Sequence, residues 1–438
     1  MPFLGLADSK ATISGSAWKI IEIAPDANTG LNNIFVVKDT SGCTLTFKAS
    51  DGYRANVLRF SNLGGAFAEE LKDVDRSATS LSFTLSGDDS GYIIEDGSSR
   101  YYCWVVNYAN HQMTLSGIMP ELDDCNYSVL NFIGEATPIN FYTINGQPRV
   151  LSREMQIDYT TQIFNEELPG YADELQRKTY ESLGNVVSLT PAAYCATTFT
   201  VSGDRFLREW GEEKTFESMK VDPYAVDCTA EAEQEMPSGD EPSNILKGDE
   251  SGLGGSAPAN ISFYAYTTDA VLHTEWQMSR NPDFENPDYR FYQKDLDYTF
   301  NEEGTFYLRF IASNADGTCE AFSETFTVNI GASALECPNA FSPNDDGVND
   351  IWKVSYRSLV DFHCEIFNRN GQLIYSFDDP SDGWDGKWHG KTVKPGVYFY
   401  VIIATGADGQ KYKKSGDINI IRSINYGNST GGSTAPAN

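Results

Sequence analysis

Turn-forming dipeptides punctuate the chain at short intervals, and this limits it to short elements. Asp51-Gly52, Asp96-Gly97, Asn145-Gly146, Asp316-Gly317 and Asp408-Gly409 each mark a reversal, because Gly accepts positive φ without a Cβ clash. Between such points lie TLTFK at 44–48, SLSFTL at 80–85, YYCWVV at 101–106, TFYLRFI at 305–311, residues 321–330 and VYFYVII at 397–403. Runs this short and this rich in β-branched and aromatic residues read as strands. Helical periodicity is scarce. The best stretch, YADELQRKTYESL at 171–183, predicts one short helix inside a β-module. The fold class is all-β, in several domains.

Composition narrows the partners. The chain has 438 residues and a formal charge of −30, with 40% hydrophobic and 13% aromatic residues. That is too apolar for a disordered chain. Residues 334–438 hold ten Lys and Arg against twelve Asp and Glu, a net of −2, so the first 333 residues carry −28. Such a surface repels nucleic acid and anionic membranes, so no nucleic-acid partner is expected. No apolar run reaches the roughly 18 residues of a membrane span. Met1 to Lys10 lacks a basic start and a full apolar stretch, so an intact signal peptide is absent from this numbering. That leaves a cytosolic protein, or a secreted one numbered without its leader.

Composition shifts set the boundaries. Residues 229–258 bring Glu231, Glu233, Glu235, Asp240, Glu241, Asp249 and Glu250 among Pro, Ser and Gly, and read as an acidic linker. Module 1 spans 11–122 and module 2 spans 123–228. A third module covers 259–331, a C-terminal domain 334–422, and a flexible tail 423–438. Strand spacing and the closing strand–turn–strand pattern of the third module resemble immunoglobulin-like or PKD-like sandwiches.

Eight cysteines, at 43, 103, 125, 195, 228, 319, 337 and 364, contain no C-x-x-C pair, so neither a zinc ribbon nor thioredoxin-like chemistry is signalled. The local pairings Cys195–Cys228 and Cys337–Cys364 are the disulfide candidates. The other reading leaves several of them as buried thiols.

Catalytic constellations are absent. There is no His-Glu-x-x-His and no phosphate-binding glycine loop, and the four histidines 111, 273, 363 and 389 are scattered. Carboxylate pairs occur by chance among 62 acids and assign nothing. The expectation is that the chain is not an enzyme and holds no cofactor. One oxygen-rich stretch, with Asn344, Asp346, Asn349 and Asp350 around Gly347, has two readings: a Ca²⁺ loop or an Asx turn capping its own backbone. Tyr101, Tyr102 and Trp104, with Phe141 and Tyr142, are either core residues or an outward platform for sugars.

Residues 337–422 carry ordered motifs: Pro338-Asn339-Ala340-Phe341-Ser342-Pro343-Asn344, then Asp346-Gly347-Val348-Asn349-Asp350, then Asn368-Arg369 with Gly371, then Gly383-Trp384-Asp385-Gly386, then Pro395-Gly396-Val397-Tyr398. Together they resemble the gliding-motility-associated C-terminal domain, the type B sorting domain of type IX secretion cargo. Asn370 stands where that family usually has Trp. The resemblance implies a C-terminal β-sandwich sorting domain read by the type IX secretion machinery. It implies delivery to the extracellular space or outer-membrane surface of a Gram-negative cell, where disulfides are stable. The expected function is a non-enzymatic modular surface or secreted protein, an adhesin or assembly component with an unidentified protein or glycan ligand. The alternative is a carbohydrate-binding or carbohydrate-active surface protein.

Overall fold

The computed structural model describes residues 10–234, 244–246 and 252–421. The expected tail at 423–438, and residues 235–243 and 247–251 of the expected linker, lie outside these. Among the described residues the only α-helix is the short Arg205–Glu209, and the chain is a multi-domain β-sandwich protein. It divides into two compact units. One holds the residues up to Val226 with Thr268–Ala270 and Asn314–Cys319, and the other holds Asp227–Thr267, Val271–Ser313 and the remainder from Glu320.

In the first unit, module 1 pairs a four-stranded sheet with a six-stranded one. The strand Ser99–Asn107 lies in the larger sheet, parallel to Asn33–Val37 and antiparallel to Ser90–Asp96. Its two faces serve different cores. Cys103 and Val105 join Phe35, Leu45, Phe47 and Val57 in one apolar cluster. Trp104 and Val106 join Leu130, Ile157 and Phe199 of module 2 in another. A strand buried on both faces has no polar side, which explains the unbroken apolar run at 101–106.

Module 2 begins earlier than expected. Gly117–Glu121 pairs with Ser128–Ile133, which continues to Val186–Leu189, so the boundary falls before residue 117 rather than at 122. The second sheet runs Gly170–Tyr180, Met155–Asn165, Thr200–Gly203, Lys214–Glu217. Gly170–Tyr180 is the segment expected to be helical. It is an edge strand, paired with Met155–Asn165 over its full length. Its good helix formers are overridden by that long ladder, and its alternating charges suit an edge that must not recruit another strand.

A buried ion pair links the modules within this unit. Arg153 and Asp204 have no exposed side-chain surface. Arg153 Nη1 donates to Asp204 Oδ2 at 2.5 Å and Nε to the Thr137 carbonyl at 2.6 Å, while Nη2 donates to the carbonyl of His111 in module 1. Tyr108 Oη donates to Asp204 Oδ2 at 3.0 Å, and Asp204 Oδ1 caps the helix at Leu207 N. Every bond stands in for water that the site excludes.

The cysteine pairing differs from expectation. Cys125 is bonded to Cys319, 194 residues away, and Cys195, Cys228, Cys337 and Cys364 are free thiols. Cys195 lies in the first unit and Cys228 in the second, where each is buried. Burial pushes the Cys195 thiol up to about 11 and those of Cys228 and Cys364 up to about 12. Sequence spacing favours near neighbours and carries no signal for the long-range pair.

In the second unit the expected linker supplies two strands of the third module. Cys228–Gln234 pairs antiparallel with Ala259–Thr267, and Leu253–Gly255 pairs parallel with Phe326–Ile330. The module therefore starts at Cys228, not at 259. Phe263, Trp276 and Phe310 form its ring-packed centre, with centroids 5.1 and 5.6 Å apart.

Replacing Arg153 by Met leaves Asp204 buried without its countercharge and is expected to cost about 3–5 kcal/mol. The Arg153→Met, Asp204→Asn double variant should lose less than the two single changes added together, read from guanidinium unfolding. Reduction of Cys125–Cys319, or Cys125→Ser with Cys319→Ser, is expected to lower the melting temperature. The chain-entropy limit for so long a loop is about 5 kcal/mol, and an unchanged melting temperature would refute the stabilising role.

Candidate functional site

The C-terminal domain is a five-stranded sheet in the order Ala340–Phe341, Lys411–Ile420, Gly396–Gly406, Leu359–Phe367, Leu373–Phe377. Two tryptophans with no exposed surface, Trp352 and Trp384, anchor its motifs. Their backbones exchange hydrogen bonds, Trp352 N to Trp384 O at 2.9 Å and the reverse at 3.0 Å. Trp352 Nε1 donates to the Pro338 carbonyl at 2.7 Å, and Trp384 Nε1 to that of Lys387 at 3.0 Å. The Trp384 ring packs between Phe341 and Tyr398. Motif pieces far apart in sequence thus meet around one pair of indoles.

The glycines beside Trp384 follow from this closeness. A Cβ on Gly383 would stand 2.6 Å from the Trp352 carbonyl oxygen. Gly386 has φ of +71°, and a Cβ there would meet the Pro343 ring at 2.9 Å. Asp385 Oδ1 accepts Lys387 N, and its carboxylate pairs with Lys387 Nζ at 3.0 Å. Asn339 O accepts Asn419 N at 2.8 Å, holding the entry segment on the sheet edge. Pro395-Gly396 leads into the central strand, where Tyr398 Oη reaches back to the Lys394 carbonyl.

The turn at 368–372 is capped by Asn368 Oδ1, which accepts from Asn370 N and Gln372 N, with Gly371 at φ +77°. Arg369 and Asn370 are exposed. The departure at Asn370 therefore alters a surface position and leaves the core alone.

The oxygen-rich loop closes on itself. Asp350 Oδ1 accepts from Asn344 N and Asp345 N, at 2.8 and 2.7 Å, and Oδ2 from Gly347 N at 2.7 Å. Asp346 Oδ1 accepts Val348 N, and Asn344 Nδ2 donates to Asp346 Oδ2. Asn349 lies at φ +54° with its carbonyl accepting Ser342 N. The N–H donors hold the Asp350 carboxyl below its usual range. A Ca²⁺ shell needs carboxylate oxygens facing one point, whereas those of Asp350 face backbone donors, so the set fits an Asx-type loop. Among the described residues no group of three or more His, Cys, Asp or Glu is placed to hold a metal.

The aromatic runs at 101–104 and 141–142 are largely packed inward. Trp104, Cys103 and Phe141 are buried, and Tyr102 and Tyr142 pack against the core shared by modules 1 and 2. Sequence reasoning passed over Trp352, which joins the N-terminal motif to the Gly-Trp-Asp-Gly motif. Its signal was a lone Ile351-Trp352 pair directly after a polar loop.

Residues 335–420 match the family model described as CHU_C Type IX secretion signal domain. They carry the type IX secretion signal. Residues 117–218 match the Fibronectin type III domain, a span that agrees with the early start of module 2. The secretion signal implies recognition by the type IX machinery and export to the cell surface or extracellular space. The chain is accordingly a modular protein of that kind, and no helix among the described residues is long and apolar enough to cross a membrane. No curated protein is similar enough to match.

The solved structures to which the chain is similar include three at a TM-score of 0.22. One is a tetra-tandem repeat in the extending region of a large adhesion protein (9% identity; 88% of this chain, 96% of that one). Another is the FN1-FN3 domains of chicken CNTN1 (11%; 70% and 98%). A third is the three N-terminal domains of the bacteriophage RB49 Highly Immunogenic Outer Capsid protein (10%; 71% and 100%). At that score these likenesses carry no functional argument.

Adding Ca²⁺ is expected to leave the melting temperature unchanged; a rise would restore the metal reading. The Asp350→Ala variant should melt lower at neutral pH. Because the folded carboxyl titrates below its unfolded value, its contribution is full above the ordinary carboxylate range. It is lost as pH falls through the folded value, so wild type and variant should converge in acid.

Proposed function

We propose that the chain is a non-enzymatic surface or secreted protein, exported by type IX secretion, that acts as an adhesin or as a structural component of a surface assembly. The observation that carries the export part is the meeting of the Pro338–Asn344, Gly383–Gly386 and Pro395–Tyr398 motifs around Trp352 and Trp384. Binding or structure, rather than catalysis, is supported by how the polar groups are used. Among the described residues the buried charged groups, Arg153 and Asp204, are engaged with each other, with backbone groups and with Tyr108 Oη. His111 is held by Asp89 at 2.6 Å, and His363 pairs with the exposed Asp378 at 2.5 Å; neither arrangement includes a nucleophile. Fibronectin type III and secretion-signal domains are typically non-catalytic. Serial sandwiches give reach and contact surface.

Deletion of residues 335–420, expressed in a host with a working type IX system, is expected to abolish surface and medium delivery while the N-terminal modules still fold. Unchanged delivery of the truncated chain would overturn the export reading.

A further inference from the structure

The third module carries a groove of about 530 Å³ on the sheet built from His273–Ser279, Gly304–Ser313, Tyr289–Phe291 and Glu320–Phe322. This size falls within the range of small-ligand sites, about 300–1,000 Å³. The strand registers lay out its floor in rows. Arg290 pairs with Gln277, and Gln277 with Arg309. One step on, Glu275 pairs with Ile311, and Ile311 with Phe322. Tyr292, directly after the outer strand, lines the groove together with Glu275.

The polar floor is locked before any ligand arrives. Glu275 Oε1 accepts from Arg290 Nη1 and, at 2.7 Å, from Gln277 Nε2. Gln277 is only 6% exposed, and its Oε1 accepts from Arg309 Nε and Nη2 at 3.1 and 2.9 Å. The Arg309 guanidinium is stacked between Phe284 and Phe322, at 4.3 and 5.0 Å. Carboxylate, amide and two guanidinium groups therefore form one fixed array. Above it stand apolar groups that no described residue covers: Tyr292 is 70% exposed and Leu272 is 69% exposed.

The chemistry of this array selects among ligands. An anion needs an uncommitted positive charge, yet Arg290 is paired with Glu275, Arg309 lies behind Gln277 between Phe284 and Phe322 rather than in the lining, and Glu320 adds a negative charge to the lining. The surrounding chain, at −30, repels anions further. An apolar peptide would strand the polar floor without partners. A sugar ring satisfies both halves: its hydroxyls donate and accept against fixed planar groups, and its C–H face stacks on an exposed phenol ring.

We propose that this groove binds a neutral oligosaccharide, with Tyr292 as the stacking platform and Glu275, Gln277 and Arg290 as the hydroxyl readers. This goes beyond the export reading and does not depend on it, since deletion of residues 335–420 tests that separately. The test uses the full chain and titrates cellohexaose, laminarihexaose, mannohexaose and chitohexaose, followed by calorimetry, with polygalacturonate as an acidic comparison. At least one neutral hexamer is expected to bind. Tyr292→Ala should weaken that binding by about tenfold, the equivalent of one stacked ring, with the melting temperature unchanged. Glu275→Gln, which keeps the shape and removes the charged acceptor, should weaken it as well. Absence of binding to all four hexamers, binding that both variants retain in full, or tighter binding to polygalacturonate would each overturn the proposal.

Discussion

The first unit depends on one strand having no solvent face. Ser99–Asn107 contributes alternate side chains to two separate cores, so it cannot shift register by a residue without exchanging their contents. Cys103 and Val105 would move to the side fitted for Trp104 and Val106, and an indole would have to enter a space shaped for a valine. Module 1 is therefore both a sandwich in itself and one wall of the core it shares with module 2. The ion pair of Arg153 with Asp204 sits where this strand gives way to the Tyr108–His111 turn. It fixes by direction what the apolar contacts fix by volume.

The C-terminal domain reaches specificity by a different route. It is small, and its order comes from two indoles whose N–H groups each find a carbonyl. Nearly all its motif residues have structural explanations. The glycines make room for the tryptophan backbones, the asparagines and aspartates cap loops, and the prolines hold the entry and the turn into the central strand.

Much of this was legible in the sequence, for identifiable reasons. Asp96-Gly97, Asn145-Gly146, Asp316-Gly317 and Asp408-Gly409 each lie between paired strands with Gly at positive φ, because turn chemistry is local. Asp51-Gly52 instead links strands of two different sheets, a distinction set by long-range pairing. The segment at 171–183 misled because an exposed edge strand needs no alternating apolar face, so its helix formers had no competing signal. The start of the third module was readable and missed. CTAEAEQ at 228–234 alternates in the manner of a strand, but its acidity and the Gly, Pro and Ser after it suggested a linker. The Cys125–Cys319 pair and the groove floor were not readable, because both join residues that only the completed sheets bring together.

The bond between Cys125 and Cys319 also changes how the chain answers to force. A pull applied between the two ends of the polypeptide passes through that covalent link, and the 194-residue separation it spans stays slack. The second module and most of the third are thus removed from the load path. Extended, that separation would reach on the order of 600 Å, a reserve of length that only reduction of the bond would release. For a protein displayed outside the cell, the disulfide makes the oxidation state of the surroundings a determinant of mechanical compliance.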